Sequence, residues 1–209
     1  MRLFGKYSNA AAQIEDDDEE NESEEKVENW QELLAGKMLK TRTILLSGEI
    51  RKELAEKTIR QLILMEAMGD DPIRIFIDSP GGDADAGYAI FDMIRFINPP
   101  VWTVGMGLVA SAAAIIQLAA PKERRVGLPN SHYLIHQPLS GIRGVATDIE
   151  IHARELDKLR AKINRLIAEE TGNPVNQVEK DTDRDYWMSA QEAVQYGLIS
   201  KVISNRDEI

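Results

Sequence analysis

Apolar positions in this chain fall in short continuous or alternating runs, separated by longer stretches of helical period. A helix is predicted from about Glu28 through Trp30, Leu33 and Leu34 to Gly36, and Thr43-Ile-Leu-Leu-Ser47 reads as a short buried strand. Gly48 and Glu49 turn it into a helix carrying Ile59, Leu62, Ile63 and Leu64, which Asp70, Asp71 and Pro72 break. Ile73-Arg-Ile-Phe-Ile-Asp78 is a second strand. It is followed by Ser79-Pro-Gly-Gly82 and a helix from Ala86 to about Ile97, ending before Pro99 and Pro100. Val101 to Gly105 is a third strand, and Ser111 opens the next helix. Arg125 to Leu128 and Tyr133 to Ile135 are further short strands.

The longest helix carries Leu156, Leu159, Ile163 and Leu166 at steps of three, four and three, one apolar stripe with charges opposite. Thr147-Asp-Ile-Glu150 fits a capping box at its start, and Gly172 and Pro174 stop it. Strands alternating with helices through short turns predict an α/β fold. No internal repeat is evident.

Composition changes this picture in one place. Residues 15–25, EDDDEENESEE, hold nine of the 35 acidic residues, so the rest of the chain has 26 acids against 25 bases. Residues 1–27 read as a flexible acidic arm, solvated or gating an entrance, and 28–209 as one domain. The near-neutral body carries no basic footprint for nucleic acid. With no cysteine, disulfides and thiolate metal sites are excluded and a reducing compartment is permitted. No signal peptide is visible. Val104 to Ala120 is apolar but short, and contains Ser111 and Gln117. It reads as a buried strand end and helix, not a membrane span. The expected address is the cytoplasm.

Four places could carry chemistry. Ser111 follows a glycine-broken strand and starts a helix, where small neighbours admit a substrate backbone and unpaired N–H groups suit an oxyanion; a plain serine N-cap would look the same. His136 ends an apolar run, as a strand-end catalytic base or a half-buried histidine would. His132 falls in an expected turn and His152 on the charged surface of the long helix. Asp181-Thr-Asp-Arg-Asp185 precedes an aromatic patch. It lacks the glycine and glutamate of a calcium loop, so ordinary turn chemistry is its alternative. Gly81-Gly82 sits between strand and helix without the spacing of a phosphate-binding loop, leaving an oxyanion site or a tight turn. Together a serine, a histidine, an acid and a glycine turn are the parts of a covalent acyl-transfer site.

Asp78-Ser-Pro-Gly-Gly82, Gly107-Leu-Val-Ala-Ser111, LPNSHYLIHQP around His136, GVATDIEIHARE from Gly144, DTDRD from Asp181 and SAQEAVQYGLIS from Ser189 resemble the proteolytic subunits of Clp proteases, the ClpP family, over about residues 42–204. The resemblance implies a serine peptidase with a Ser111–His136–Asp185 triad, the Gly82 and Ala112 N–H groups as oxyanion donors, and no cofactor or metal. It implies a crotonase-like spiral of ββα units with a protruding handle at about 136–172. Two heptameric rings would stack around a chamber, bridged by Asp183 and Arg184. An AAA+ unfoldase would deliver unfolded polypeptides. Where the family usually has methionine after the nucleophile this chain has Ala112; Asp83 and Asp85 add charge after the glycine turn; and residues 1–40 do not follow the family pattern. A scaffolding subunit of a mixed barrel and a crotonase-fold enzyme acting on a coenzyme A thioester are the alternatives.

Overall fold

A computed structural model describes residue 30 and residues 33–209 of the 209-residue chain. The acidic arm and the predicted helix start at Glu28 lie outside the described residues. The chain divides into two compact units, Met1–Thr41 and Arg42–Ile209. In the first, residues 33–40 are helical, continuing past Gly36. The second unit carries everything that follows.

Its strands are β1 (Thr43–Ser47), β2 (Ile73–Ser79), β3 (Val101–Ala110), β4 (Arg125–Gly127), β5 (His132–Ile135), β6 (Tyr186–Ser189) and β7 (Lys201–Val202). Its helices are α1 (Lys52–Met68), α2 (Ala84–Phe96), α3 (Ala112–Gln117), α4 (Ala146–Thr171), α5 (Val175–Asp181) and α6 (Ala190–Tyr196). The strands form one sheet in the order β1-β2-β3-β4-β7, with β5 on β3 and β6 on β5. Every pairing is parallel except β5 with β6. This is the α/β class that the alternation of elements predicts. Alternate residues of β2, Ile73, Ile75 and Ile77, have no exposed surface, and neither do Ile44 and Leu46 of β1. Full burial of such a side chain is worth about 1.5–3 kcal/mol.

Strand β3 runs five residues beyond the predicted end at Gly105, because it changes partners part-way. Thr103 to Gly105 pair with β4, whereas Leu108 to Ala110 pair with β5. Between them the chain kinks at Gly107 (φ +52°), opposite a register shift in β2. The Asp78 carboxylate holds the kink by accepting the Leu108 N–H at 3.0 Å. A side chain at Gly107 would strike it, with an added Cβ only 2.5 Å from Asp78 Oδ1.

Three local expectations are corrected. Helix α4 begins at Ala146 with Val145 at its cap, and no side chain caps it. Thr147 is therefore already inside the first turn, where its hydroxyl cannot take the N-cap role. His132 is the first residue of β5, not a turn residue. Helix α2 starts at Ala84, two residues early, because Asp83 caps it by accepting the Ala86 N–H at 2.7 Å.

Two buried polar sets fix the layers. Arg125, 1 % exposed, donates to the carbonyls of Ala120 (2.6 Å) and Glu170 (2.9 Å) and pairs with the Glu170 carboxylate, which also takes Arg95 at 2.5 Å. Burial pushes the Arg125 guanidinium below its ordinary value, and Glu170 opposes that shift. Tyr133 is fully buried and its hydroxyl fills the space left by Gly105 and Gly127. An added Cβ on either glycine would lie 2.3 or 2.2 Å from that oxygen.

Candidate active site

The site grows from the ends of β3, β5 and β6. Strands β3 and β5 run parallel with Ala110 opposite Leu134, and the Ser111 N–H donates to the Leu134 carbonyl at 2.9 Å. This brings Ser111 and His136 out of the sheet side by side. Strands β5 and β6 are antiparallel with Ile135 opposite Tyr186, so one more step along the ladder sets His136 against Asp185. The Ser111 Oγ lies 2.8 Å from His136 Nε2, and His136 Nδ1 lies 3.0 Å from Asp185 Oδ1. The three residues singled out in the sequence are thus joined in one hydrogen-bonded line. The histidine side chain is 17 % exposed and the aspartate 61 %.

Ser111 occupies the N-cap position of α3, yet its side chain caps nothing. Its backbone is at φ 56°, ψ −120°, a region that costs a non-glycine residue of order 1–3 kcal/mol. A serine serving only as a cap would sit relaxed and bonded to its own helix. Here the strained turn aims the hydroxyl at His136 instead.

The glycine turn is shaped around the same point. Gly81 (φ +91°) packs so closely that an added Cβ would lie 2.6 Å from both the Ala110 carbonyl oxygen and Ser111 Cβ. On its far side Ile50 straps the turn down: its N–H donates to the Gly81 carbonyl and its carbonyl accepts from the Asp83 N–H, both at 2.8 Å. In such a parallel bridge the middle residue, Gly82, points its own N–H away from Ile50, and Gly82 lines the cleft that holds Ser111. Ala112 is the first residue of α3, whose leading N–H groups have no acceptor within the helix. The Ala112 N–H follows Ser111 directly in the chain, and Gly82 lines the same cleft as Ser111.

The cleft has a volume of about 760 Å³. One side is the α2 start with Asp83 and Asp85, another the segment Pro138–Ser140, and the far wall is α4, from His152 through Leu156 and Leu159 to Ile163. Its two lysines are engaged: Lys158 bonds Glu155 at 2.7 Å, and the Lys162 ammonium sits 3.6 Å from the centre of the Tyr88 ring.

The three aspartates of 181–185 face separate partners. Asp181 accepts from Gln177 (2.8 Å) and from the Tyr196 hydroxyl (3.0 Å), Asp183 pairs with Arg160 of α4 at 3.0 Å, and Asp185 meets His136. Arg184 is exposed. His152 does not stand free among surface charges, because its Nε2 lies 2.7 Å from Ser140 Oγ. Among the described residues no group of three or more histidine, cysteine, aspartate or glutamate side chains could hold a metal ion, and no helix is long and apolar enough to cross a membrane. Ile50 and Asp78, which shape the glycine turn and the β3 kink, were not singled out from the sequence. Gly82 and Gly107, each unable to carry a side chain against them, are the signal that points back to them.

Comparison with known proteins decides the family. The Clp protease family profile matches residues 25–206. The chain belongs to the Clp protease family. This Clp protease is 66 % identical over 192 residues to a Treponema denticola protein named ATP-dependent Clp protease proteolytic subunit 2, covering 91 % of this chain and 96 % of that one. It is 47 % identical over 196 residues to proteolytic subunit 3 of Rhizobium meliloti, covering 94 % and 100 %. A solved structure of a ClpP1 mutant from Listeria monocytogenes superposes with a TM-score of 0.78 at 52 % identity, covering 83 % of this chain and 98 % of its own. The family likeness reaches further toward the N-terminus than the motifs between residues 42 and 204 suggest. Membership makes this Clp protease a serine-type peptidase and leaves no place for the coenzyme A thioester alternative.

Proposed function

We propose that this Clp protease cleaves peptide bonds through an acyl-enzyme formed on Ser111. The observation that carries the reading is the Ser111–His136–Asp185 line, with its 2.8 and 3.0 Å contacts. His136 Nε2 takes the Ser111 proton as Oγ attacks the peptide carbonyl. Asp185 holds Nδ1–H and stabilises the imidazolium that forms. The Gly82 and Ala112 N–H groups receive the developing oxyanion; removing one such donor costs about 3 kcal/mol of barrier in comparable sites. His136 returns its proton to the leaving amine, and water, activated by the same imidazole, releases the acid and restores the serine. A fluorophosphonate tests this directly. The expected adduct maps to Ser111 and is lost in His136→Ala; an adduct elsewhere, or one unaffected by His136→Ala, overturns it.

The same reading places the peptidase in the cytoplasm, in a chamber of two stacked heptameric rings fed with unfolded polypeptides by an AAA+ unfoldase. Residues 136–172 are the handle between rings, and Asp183 and Arg184 lie at the ring contact. The exposure of apolar side chains before and along the first turns of α4 supports the handle, with Val145 65 %, Ile149 44 % and Ile151 49 % exposed. Analytical ultracentrifugation of wild type and Arg184→Ala tests it: fourteen subunits dividing into sevens is the expected result, and an unchanged particle removes Arg184 from the ring contact.

A second reading is a scaffolding subunit in a barrel mixed with a paralogue. The relatives' names carry subunit numbers, which suits it. Labelling of Ser111 only after mixing with such a paralogue would favour it.

A further inference from the structure

A buried polar pair behind the site is used by no step of the mechanism. Helix α4 buries Ile163, Ile167 and Ala168, and Asn164 is buried beside them with 2 % of its surface exposed. A polar side chain in such a place costs free energy unless it is hydrogen-bonded. Its partner is Thr182, fully buried, whose hydroxyl donates to the Asn164 side-chain oxygen at 2.8 Å. The threonine does not need the asparagine, because the same hydroxyl lies 2.9 Å from the Val178 carbonyl of its own helical turn. Asn164→Leu with Thr182→Val would keep the shape of both side chains, and such a paired apolar exchange is close to neutral for stability. What the pair adds to the core therefore does not explain it.

It does fix the turn that carries Asp185. Three elements meet at Thr182. Its hydroxyl reaches Asn164 of α4, its N–H donates to the Val178 carbonyl of α5 at 2.9 Å, and its carbonyl accepts at 2.6 Å from the N–H of Gln137, the residue after His136. The Gln137 side chain donates to the next carbonyl, that of Asp183, also at 2.6 Å. Asp185 follows three residues after Thr182, and Tyr186 then enters the ladder opposite Ile135. Among the described residues the hydrogen bond of the Asp185 carboxylate is the one to His136, so its place is set by the backbone of this turn.

We propose that the Asn164–Thr182 hydrogen bond pins the turn so that the Asp185 carboxylate stands at His136 Nδ1 before substrate arrives, which makes Asn164 and Thr182 positioning residues for acylation. The proposal rests on Ser111, His136 and Asp185 acting as the triad. Without the pin the turn keeps its backbone bonds to Gln137 but loses its fixed distance from α4, and the aspartate meets the histidine in only a fraction of molecules. That fraction multiplies the acylation rate and leaves substrate binding as it was.

Pre-steady-state burst kinetics of the full-length protein with a fluorogenic peptide, on samples whose particle size matches wild type, test the pin. Loss of one such hydrogen bond predicts acylation about five-fold slower in the paired variant Asn164→Leu/Thr182→Val, with the half-saturating peptide concentration within about two-fold of wild type and the urea midpoint unchanged. Thr182→Ser, which keeps the hydroxyl, acylates as wild type does. In an Asp185→Ala background the paired variant loses nothing more, because no carboxylate is left to position; a role in the core alone gives the same loss in both backgrounds. Wild-type acylation in the paired variant, or an equal fall in the Asp185→Ala background, overturns the pin. Fluorophosphonate labelling separates the two levels. Wild type labelled at Ser111, with a paired variant that labels at the same rate, removes the pin alone; wild type that does not label removes the nucleophile and the pin with it.

Discussion

Replacing Asp185 by asparagine isolates what its charge contributes. Asparagine keeps the shape and an oxygen that can still accept from His136 Nδ1–H, but it removes the charge that faces the imidazolium in the transition state and its amide N–H favours the wrong tautomer, so the charge term sets the least loss. At the 3.0 Å separation Coulomb's law gives about 1.4 kcal/mol at the dielectric of water and about 5.5 kcal/mol at an effective constant of 20. The pair lies between these limits and nearer the first, because the aspartate side chain is 61 % exposed while the histidine is 17 % exposed. A loss of at least about 2–3 kcal/mol follows, a fall in acylation rate of roughly 30- to 150-fold or more. That is less than the roughly 10⁴-fold loss at a buried triad aspartate. The assay is the pre-steady-state burst of a fluorogenic peptide, on protein whose particle size matches wild type. A fall under about three-fold would refute the electrostatic role of Asp185.

Gly81→Ala forces a side chain into the Ala110–Ser111 backbone at φ +91°. It should cost at least about 1–3 kcal/mol and abolish Ser111 labelling, read by denaturant midpoint and mass spectrometry. Glu170→Gln leaves the Arg125 guanidinium buried without its counter-charge and should destabilise by about 3 kcal/mol, seen as a lower urea midpoint. Burial pushes the Tyr133 and Tyr88 hydroxyls up to about 12. Both stay neutral in the fold while the unfolded chain ionises near 10. Their contribution is complete below pH 10 and lost as pH rises to about 12. An alkaline unfolding titration should show this, with the transition moved to higher pH in Tyr133→Phe.

The elements most visible in the sequence are those whose pattern is local. The β1 and β2 runs, the α4 stripe and the Gly172 stop could be read because burial and period coincide there. Ile163 is buried as the stripe requires, although Leu156 and Leu159 are only half-buried. The β3 extension and β6 were not legible. Each depends on a partner far along the chain: β3 continues because β5 is there to pair with it, and the exposed Tyr186 and Trp187 read as an aromatic patch until the β5 ladder makes them a strand. For the site, Ser111, His136 and Asp185 came from their types and settings together with a family resemblance. What composition could not supply was the register that joins them. The Thr147 capping box failed for a related reason, since a cap motif fixes a helix start only if nothing upstream is already helical.

The order of the strands that carry the site also governs when it can exist. Ser111 and His136 leave the ribosome long before Asp185, and β6 pairs with β5 only once nearly the whole chain has been made. A nascent chain therefore presents a serine and a histidine without the acid that completes them. On the proposed triad, the acid arrives only in the last eighth of the 209 residues, so the serine–histidine–aspartate line is the last part of the site to be completed.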